Sequence, residues 1–158
     1  MEFEYLNEKY GFKLIQSRTT RPPRYEGENG HTFVSNDEFD TYKEEDIIAL
    51  TLFGNNRYCC LHSDVVDGVN TYVIDEIGLL YLKDKYADRY DIKSIRLVRE
   101  LDDRIKSVGK ERVSRDEGKF KLPYSYYDNV VMGGNLDILY SQIDKFVQQN
   151  ILGNVKLG

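Results

Sequence analysis

The run Asn70-Thr71-Tyr72-Val73-Ile74-Asp75 is β-branched and aromatic, Ile77 to Tyr86 carries apolar residues at i, i+3 and i+4, and Ile92 to Val98 is apolar again. Strand, helix and strand in that order form a βαβ unit. Its crossover is right-handed almost without exception, and it demands a parallel sheet covered by helices. An α/β fold in a single domain, residues 1–158, is therefore expected, since the length suffices for one proper core.

The remaining elements follow from periodicity and punctuation. Met1 to Tyr10 places Phe3, Leu6 and Tyr10 on one helical stripe, with Gly11 as the residue that ends it. Phe12 to Gln16 is an apolar strand ending at Ser17, Ser35 to Glu38 is a capping box opening a helix to about Glu44, and Ile47–Phe53, Gly54-Asn55-Asn56 and Arg57–Leu61 read as a β-hairpin. Asp64 to Asp67 is a polar turn. Arg99 to Phe120 is charge-rich, with two short helices around Val108-Gly109. A tyrosine-rich loop from Pro123 to Tyr127, a strand from Asn129 to Met132 and a helix from Leu136 to Gln149 complete the pattern, the last with Leu136, Leu139, Ile143 and Phe146 as its core stripe. Ile151 to Gly158 is too short and glycine-broken to assign.

Composition excludes several classes. The longest apolar run is far too short to cross a bilayer, and Met1 to Tyr5 lack the basic start and apolar core of a signal peptide, so the cytoplasm is the expected location. A net charge of −5 argues against a nucleic-acid partner but not against a small anion, which feels only local charge. Cys59 and Cys60 are adjacent in a strand, where neighbours face opposite ways, and only His31 and His62 could join them. We read both thiols as small buried hydrophobes, with no metal site.

The chemistry concentrates in Ser17-Arg18-Thr19-Thr20-Arg21-Pro22-Pro23-Arg24. Two prolines fix φ and hold the segment extended, so Arg21 and Arg24 are stiffly presented. A guanidinium fork matches phosphate or carboxylate bidentately, and ordering it beforehand reduces the entropy lost on binding. Arginines after a buried strand lie on the usual ligand side of an open α/β sheet. Arg-Pro-Pro-Arg also occurs in plain loops and in proline-rich ligands, and only its flanks favour the anion-binding reading.

Ser-x-Thr-Thr-Arg-Pro-Pro-Arg, then Gly27-Glu28-x-Gly30, then Phe33-Val34-Ser35-x-x-Glu38-Phe39 resembles the monophosphate-binding segment of guanylate kinases and related P-loop nucleoside monophosphate kinases. Weaker similarity runs to about Val147. The resemblance implies a P-loop-kinase-like parallel sheet with a small hairpin subdomain at residues 33–62 covering the nucleobase, and a lid-like segment at 99–120. It implies that Ser17, Arg21, Arg24, His31 and Tyr58 hold the acceptor phosphate of a nucleoside monophosphate, and that lid residues Arg104 and Arg112 neutralise the phosphoryl group in flight. For Asp75 it implies a Mg²⁺-bound water or the orientation of the arginines, beside the plain role of capping the next helix.

Three departures shape the expectation. Ala49 stands where guanylate kinases carry the glutamate that reads guanine, and His31 stands where they carry a phosphate-binding tyrosine. The family's ATP-cradling Gly-x-x-x-x-Gly-Lys-Ser/Thr loop does not occur; Gly109-Lys110, for example, is followed by Glu111. A chain without it holds the acceptor half of a phosphotransferase, and Mg-ATP would bind only with that loop supplied. Its first strand would be missing too, so the neighbouring strands must close up, expose backbone groups, or accept a strand from a partner or a second copy. Three readings stay open: an ATP-dependent nucleoside monophosphate kinase lacking its loop, a non-catalytic binder of a phosphorylated small molecule, and an interaction module recognising a phosphorylated peptide.

Overall fold

The computed structural model of the protein describes residues 2–99 and 121–153, and its packing divides after Ile92 into two compact units. The expected lid helices, with Arg104 and Arg112, lie outside the described residues. Among those residues, no helix is long and apolar enough to cross a membrane.

The first unit opens with α1 (Glu2–Tyr10), which Gly11 ends at φ 71°, its N–H returning 2.9 Å to the Asn7 carbonyl. The apolar strand expected from Phe12 to Gln16 proves to be two. β1 (Lys13–Ile15) pairs in parallel with β6 (Asn70–Tyr72), and β2 (Ser17–Thr19) continues past the expected stop into another sheet. Polar residues extend the strand because their hydroxyls are satisfied: the buried Thr19 Oγ1 donates to the Arg57 carbonyl at 3.0 Å.

That second sheet has the order β3-β2-β5-β4, with β3 at His31–Phe33 and the predicted hairpin as β4 (Ile47–Phe53) and β5 (Asn56–Leu61). β2 runs parallel to β3 and antiparallel to β5. An irregularity between Ile47 and Ala49 lets three consecutive residues turn inward, so Ile48 and Ala49 share one core cluster with Ile15 and Cys60. Cys59 faces the other way, into Phe39, Ile47 and Leu61. Burial pushes both free thiols up to about 12, in keeping with inert core residues.

α2 (Asn36–Asp40) begins as expected, the Glu38 N–H donating to Ser35 Oγ at 3.0 Å, but only that half of the capping box forms. The Glu38 carboxylate instead accepts from the Tyr42 hydroxyl at 2.6 Å. The helix stops short of Glu44 because the Thr41 hydroxyl and amide both fold back onto the Glu38 carbonyl.

β6 is shorter than the sequence implied, since Asp75 is spent on capping α3 (Glu76–Tyr86). Asp75 Oδ1 accepts from the Gly78 N–H at 2.8 Å and from Thr51 Oγ1 at 2.7 Å, which seats the helix on β4. Gly78 permits that approach: a Cβ there would stand 2.9 Å from Ile74 Cγ1.

In the second unit, β7 (Ile95–Arg99) pairs in parallel with β8 (Asn129–Gly133), and Asn135 caps α4 (Leu136–Val147) by accepting from the Ile138 N–H at 3.0 Å. Leu139, Ile143 and Phe146 are buried as the stripe requires, joined by Val147. Leu136 is not, at 39% exposed; it sits in the first turn beside the cap, ahead of the turns that pack. Parallel ladders, flanking helices and a hairpin subdomain make this the expected α/β class.

Candidate anion-binding site

One face of the second sheet gathers the chemistry. Cross-strand partners share a face, and so do residues two apart, which places Ser17 and Thr19 of β2, His31 and Phe33 of β3, and Tyr58 of β5 together. Ser17 and His31 are partners in register, and Ser17 Oγ lies 2.8 Å from His31 Nδ1. The His31 ring stands edge-on to Tyr58 and to Phe33, with centroids 6.0 Å apart in each case.

After Thr19 the chain leaves the strand but stays anchored, the Arg21 N–H donating to Thr19 Oγ1 at 3.0 Å. Arg21 then passes 5.4 Å from the Phe33 ring centre, a cation–π distance. Its guanidinium donates to Glu28 through NH2 at 2.7 Å and NH1 at 3.3 Å, with side chains only 12% and 9% exposed. Glu28 Oε1 also accepts the Arg24 backbone N–H at 2.7 Å. A single carboxylate therefore fixes both ends of the Pro22-Pro23 segment, and Gly27 and Gly30, at φ 80° and 99°, make the turn that brings it there.

The electrostatics follow. Hydrogen bonding to Arg21, then to the Arg24 amide, holds the Glu28 carboxyl down at about 2. The Arg21 guanidinium is raised above its ordinary range, chiefly by Glu28, with burial opposing and Tyr58 adding to it. His31 is lowered from its ordinary 6.5, first by burial and then by the Arg21 cation, with Arg24 contributing, and with Glu28 and a hydrogen bond to the Ser17 backbone opposing. The ring is neutral near pH 7. The Arg24 guanidinium makes no hydrogen bond or ion pair among the described residues and is exposed, so it is the cation presented to solvent.

The structure thus brings Ser17, Arg21, His31 and Tyr58 together, while Arg24 is tied into the same loop through its backbone N–H on Glu28. Asp75 occupies the helix-capping position, its Oδ1 shared between Gly78 and Thr51, and Thr51 is the ladder partner of Tyr58. Ala49 is 1% exposed among Ile15, Ile48 and Cys60, so that position offers no polar group to a base. On the opposite face, Arg18 donates from Nε and NH2 to Asp64 at 3.0 and 2.7 Å and from NH1 to the Tyr42 hydroxyl at 3.1 Å. Arg18 is therefore a tie between β2, the turn at Asp64 and Tyr42, and not a ligand group.

Sequence reasoning missed Glu28 and Thr51. The signal for Glu28 was present: a carboxylate between two turn-forming glycines, in the same loop as two arginines. Thr51 carried none, because its partner depends on register between segments distant in the chain.

No family model and no curated protein matches the sequence. Among solved structures, the chain resembles the crystal structure of guanylate kinase from Anaplasma phagocytophilum, with a TM-score of 0.67 over 94% of this chain and 80% of that one, at 18% identity. The protein has a guanylate kinase-like fold.

Proposed function

We propose that this chain binds a nucleoside monophosphate, or a closely related phosphorylated small molecule, with the phosphate on Arg24 and Arg21 and with Ser17, His31 and Tyr58 as flanking donors. One observation carries the reading: Ser17, His31 and Tyr58 share one sheet face beside the loop of Arg21 and Arg24, which Glu28 orders by binding the Arg21 guanidinium and the Arg24 N–H. Ordering before binding lowers the entropic cost of gripping an oxyanion. The buried Ala49 argues against guanine as the base.

The donor side of a kinase is not met by the residues present. The sequence has no Gly-Lys-Ser/Thr. Asp75 spends one carboxylate oxygen on the α3 cap and Thr51. Arg104 and Arg112 as lid cations remain part of the proposal. Titration calorimetry of this chain with a panel of nucleoside monophosphates, with Mg-ATP and with a phosphorylated peptide tests it. Heat is expected with a monophosphate and not with Mg-ATP. Binding of the phosphopeptide alone would replace the small-molecule reading with the interaction-module one, and tight Mg-ATP binding would contradict the absent donor site.

A further inference from the structure

We propose that Ser17 and His31 act as one proton-linked donor pair, so that a doubly charged oxyanion binds to this face together with one proton. The proposal rests on the anion-binding reading of the site and adds a rule for what the site prefers and when.

The geometry supplies the mechanism. Ser17 Oγ is engaged by His31 Nδ1 at 2.8 Å, and Ser17 is largely buried, so its hydroxyl has little recourse to water. In the neutral tautomer that carries its hydrogen on Nε2, the Ser17 O–H donates to Nδ1. The Ser17 hydrogen is then unavailable to a ligand. When one proton from solvent adds at Nδ1, the new N–H donates to Ser17 Oγ, and the hydroxyl hydrogen is released to donate to the incoming anion. No bond other than these hydrogen bonds changes, and the proton count balances at one taken up per anion bound.

The surroundings set the direction. The charged or titratable groups acting on the ring are Arg21, Arg24 and Glu28 from the loop and Tyr58 from β5. Two cations outweigh one carboxylate, and with burial they favour the neutral ring. A dianion arriving beside Arg21 and Arg24 reverses that balance, because its charge offsets the cations and favours the imidazolium. By linkage, whatever raises the affinity of His31 for a proton raises the affinity for the anion equally as the pH falls. A tyrosine hydroxyl at this position would donate without this dependence, since it does not titrate near neutrality. The pair therefore favours dianionic monophosphate over singly charged carboxylates.

Sulfate is the probe that isolates the effect, because its charge does not change near neutral pH, whereas phosphate titrates there. Calorimetry at constant ionic strength, in two buffers of different ionisation heat, is expected to show affinity about tenfold tighter at about pH 5.5 than at about pH 8, with uptake approaching one proton. His31→Gln is expected to flatten the dependence, and Ser17→Ala to keep part of the proton uptake while losing affinity at acid pH. Since His31 and His62 are the only histidines, ring resonances of the wild-type chain assign with a His62→Gln variant, and the His31 pKa is expected to rise when sulfate is added. Sulfate binding with no proton uptake and an unmoved His31 resonance would overturn the linkage and leave the anion site standing. No binding of sulfate or of any nucleoside monophosphate at either pH would overturn both.

Discussion

Glu28 and Arg21 form a two-pronged ion pair inside a loop closed by glycines, and the same carboxylate holds the Arg24 amide. A loop that carries two arginines is thus ordered by its own carboxylate, which covers Arg21 and leaves the Arg24 side chain presented.

Replacing Glu28 by glutamine should therefore loosen the site more than it frees a cation. Anion affinity is expected to fall about tenfold, as a charge-assisted pair gives way to a neutral one. If affinity rises instead, Glu28 is a competitor for Arg21 and not its brace.

The same pair sets an acid limit. Glu28 titrates at about 2 in the folded chain against an ordinary 4.5, so the unfolded chain binds the proton first as pH falls. Its stabilisation is complete above 4.5 and is lost as pH drops toward 2. Urea denaturation across that range should show a steeper loss for the wild type than for Glu28→Gln, and parallel curves would refute it.

Arg18 supplies the control on the opposite face. Arg18→Met removes a partly buried bidentate partner and leaves Asp64 unpaired, which should cost about 2 kcal/mol in chemical denaturation. Anion affinity measured on the folded variant is expected to stay unchanged, because Arg18 points away from Ser17 and Thr19.

Gly78→Ala should destabilise by about 2 kcal/mol, a fall of roughly 5 °C in Tm. The added methyl meets Ile74, Thr51 and Asp75 together, none of which can withdraw without opening the α3 cap. A neutral result would mean that α3 does not sit tightly on β4.

Cys59 and Cys60 should resist a thiol reagent in the native state and react fully in denaturant. Each is buried in a different cluster, with its thiolate disfavoured near neutral pH.

What was legible in the sequence was local. Gly11, the Gly54 hairpin and the Ser35 cap each depend on a few adjacent residues, and each stands where the sequence placed it. The residues proposed to hold the anion stand out as a motif. What escaped depends on register between distant segments: the break after Ile15 that sends β1 and β2 into different sheets, the irregularity that buries Ala49, and the meeting of Asp75 with Thr51. Glu28 escaped for another reason. A carboxylate among arginines reads as a solvated charge until the two glycines are seen to fold it inward.

The most direct test of the central claim is calorimetry with the tightest-binding nucleoside monophosphate on the chain carrying Arg21→Ala and Arg24→Ala together. Binding at least about a hundredfold weaker, in a variant that remains folded, is the predicted result, since each arginine contributes a charge-assisted contact. Affinity equal to that of the wild type would contradict the account.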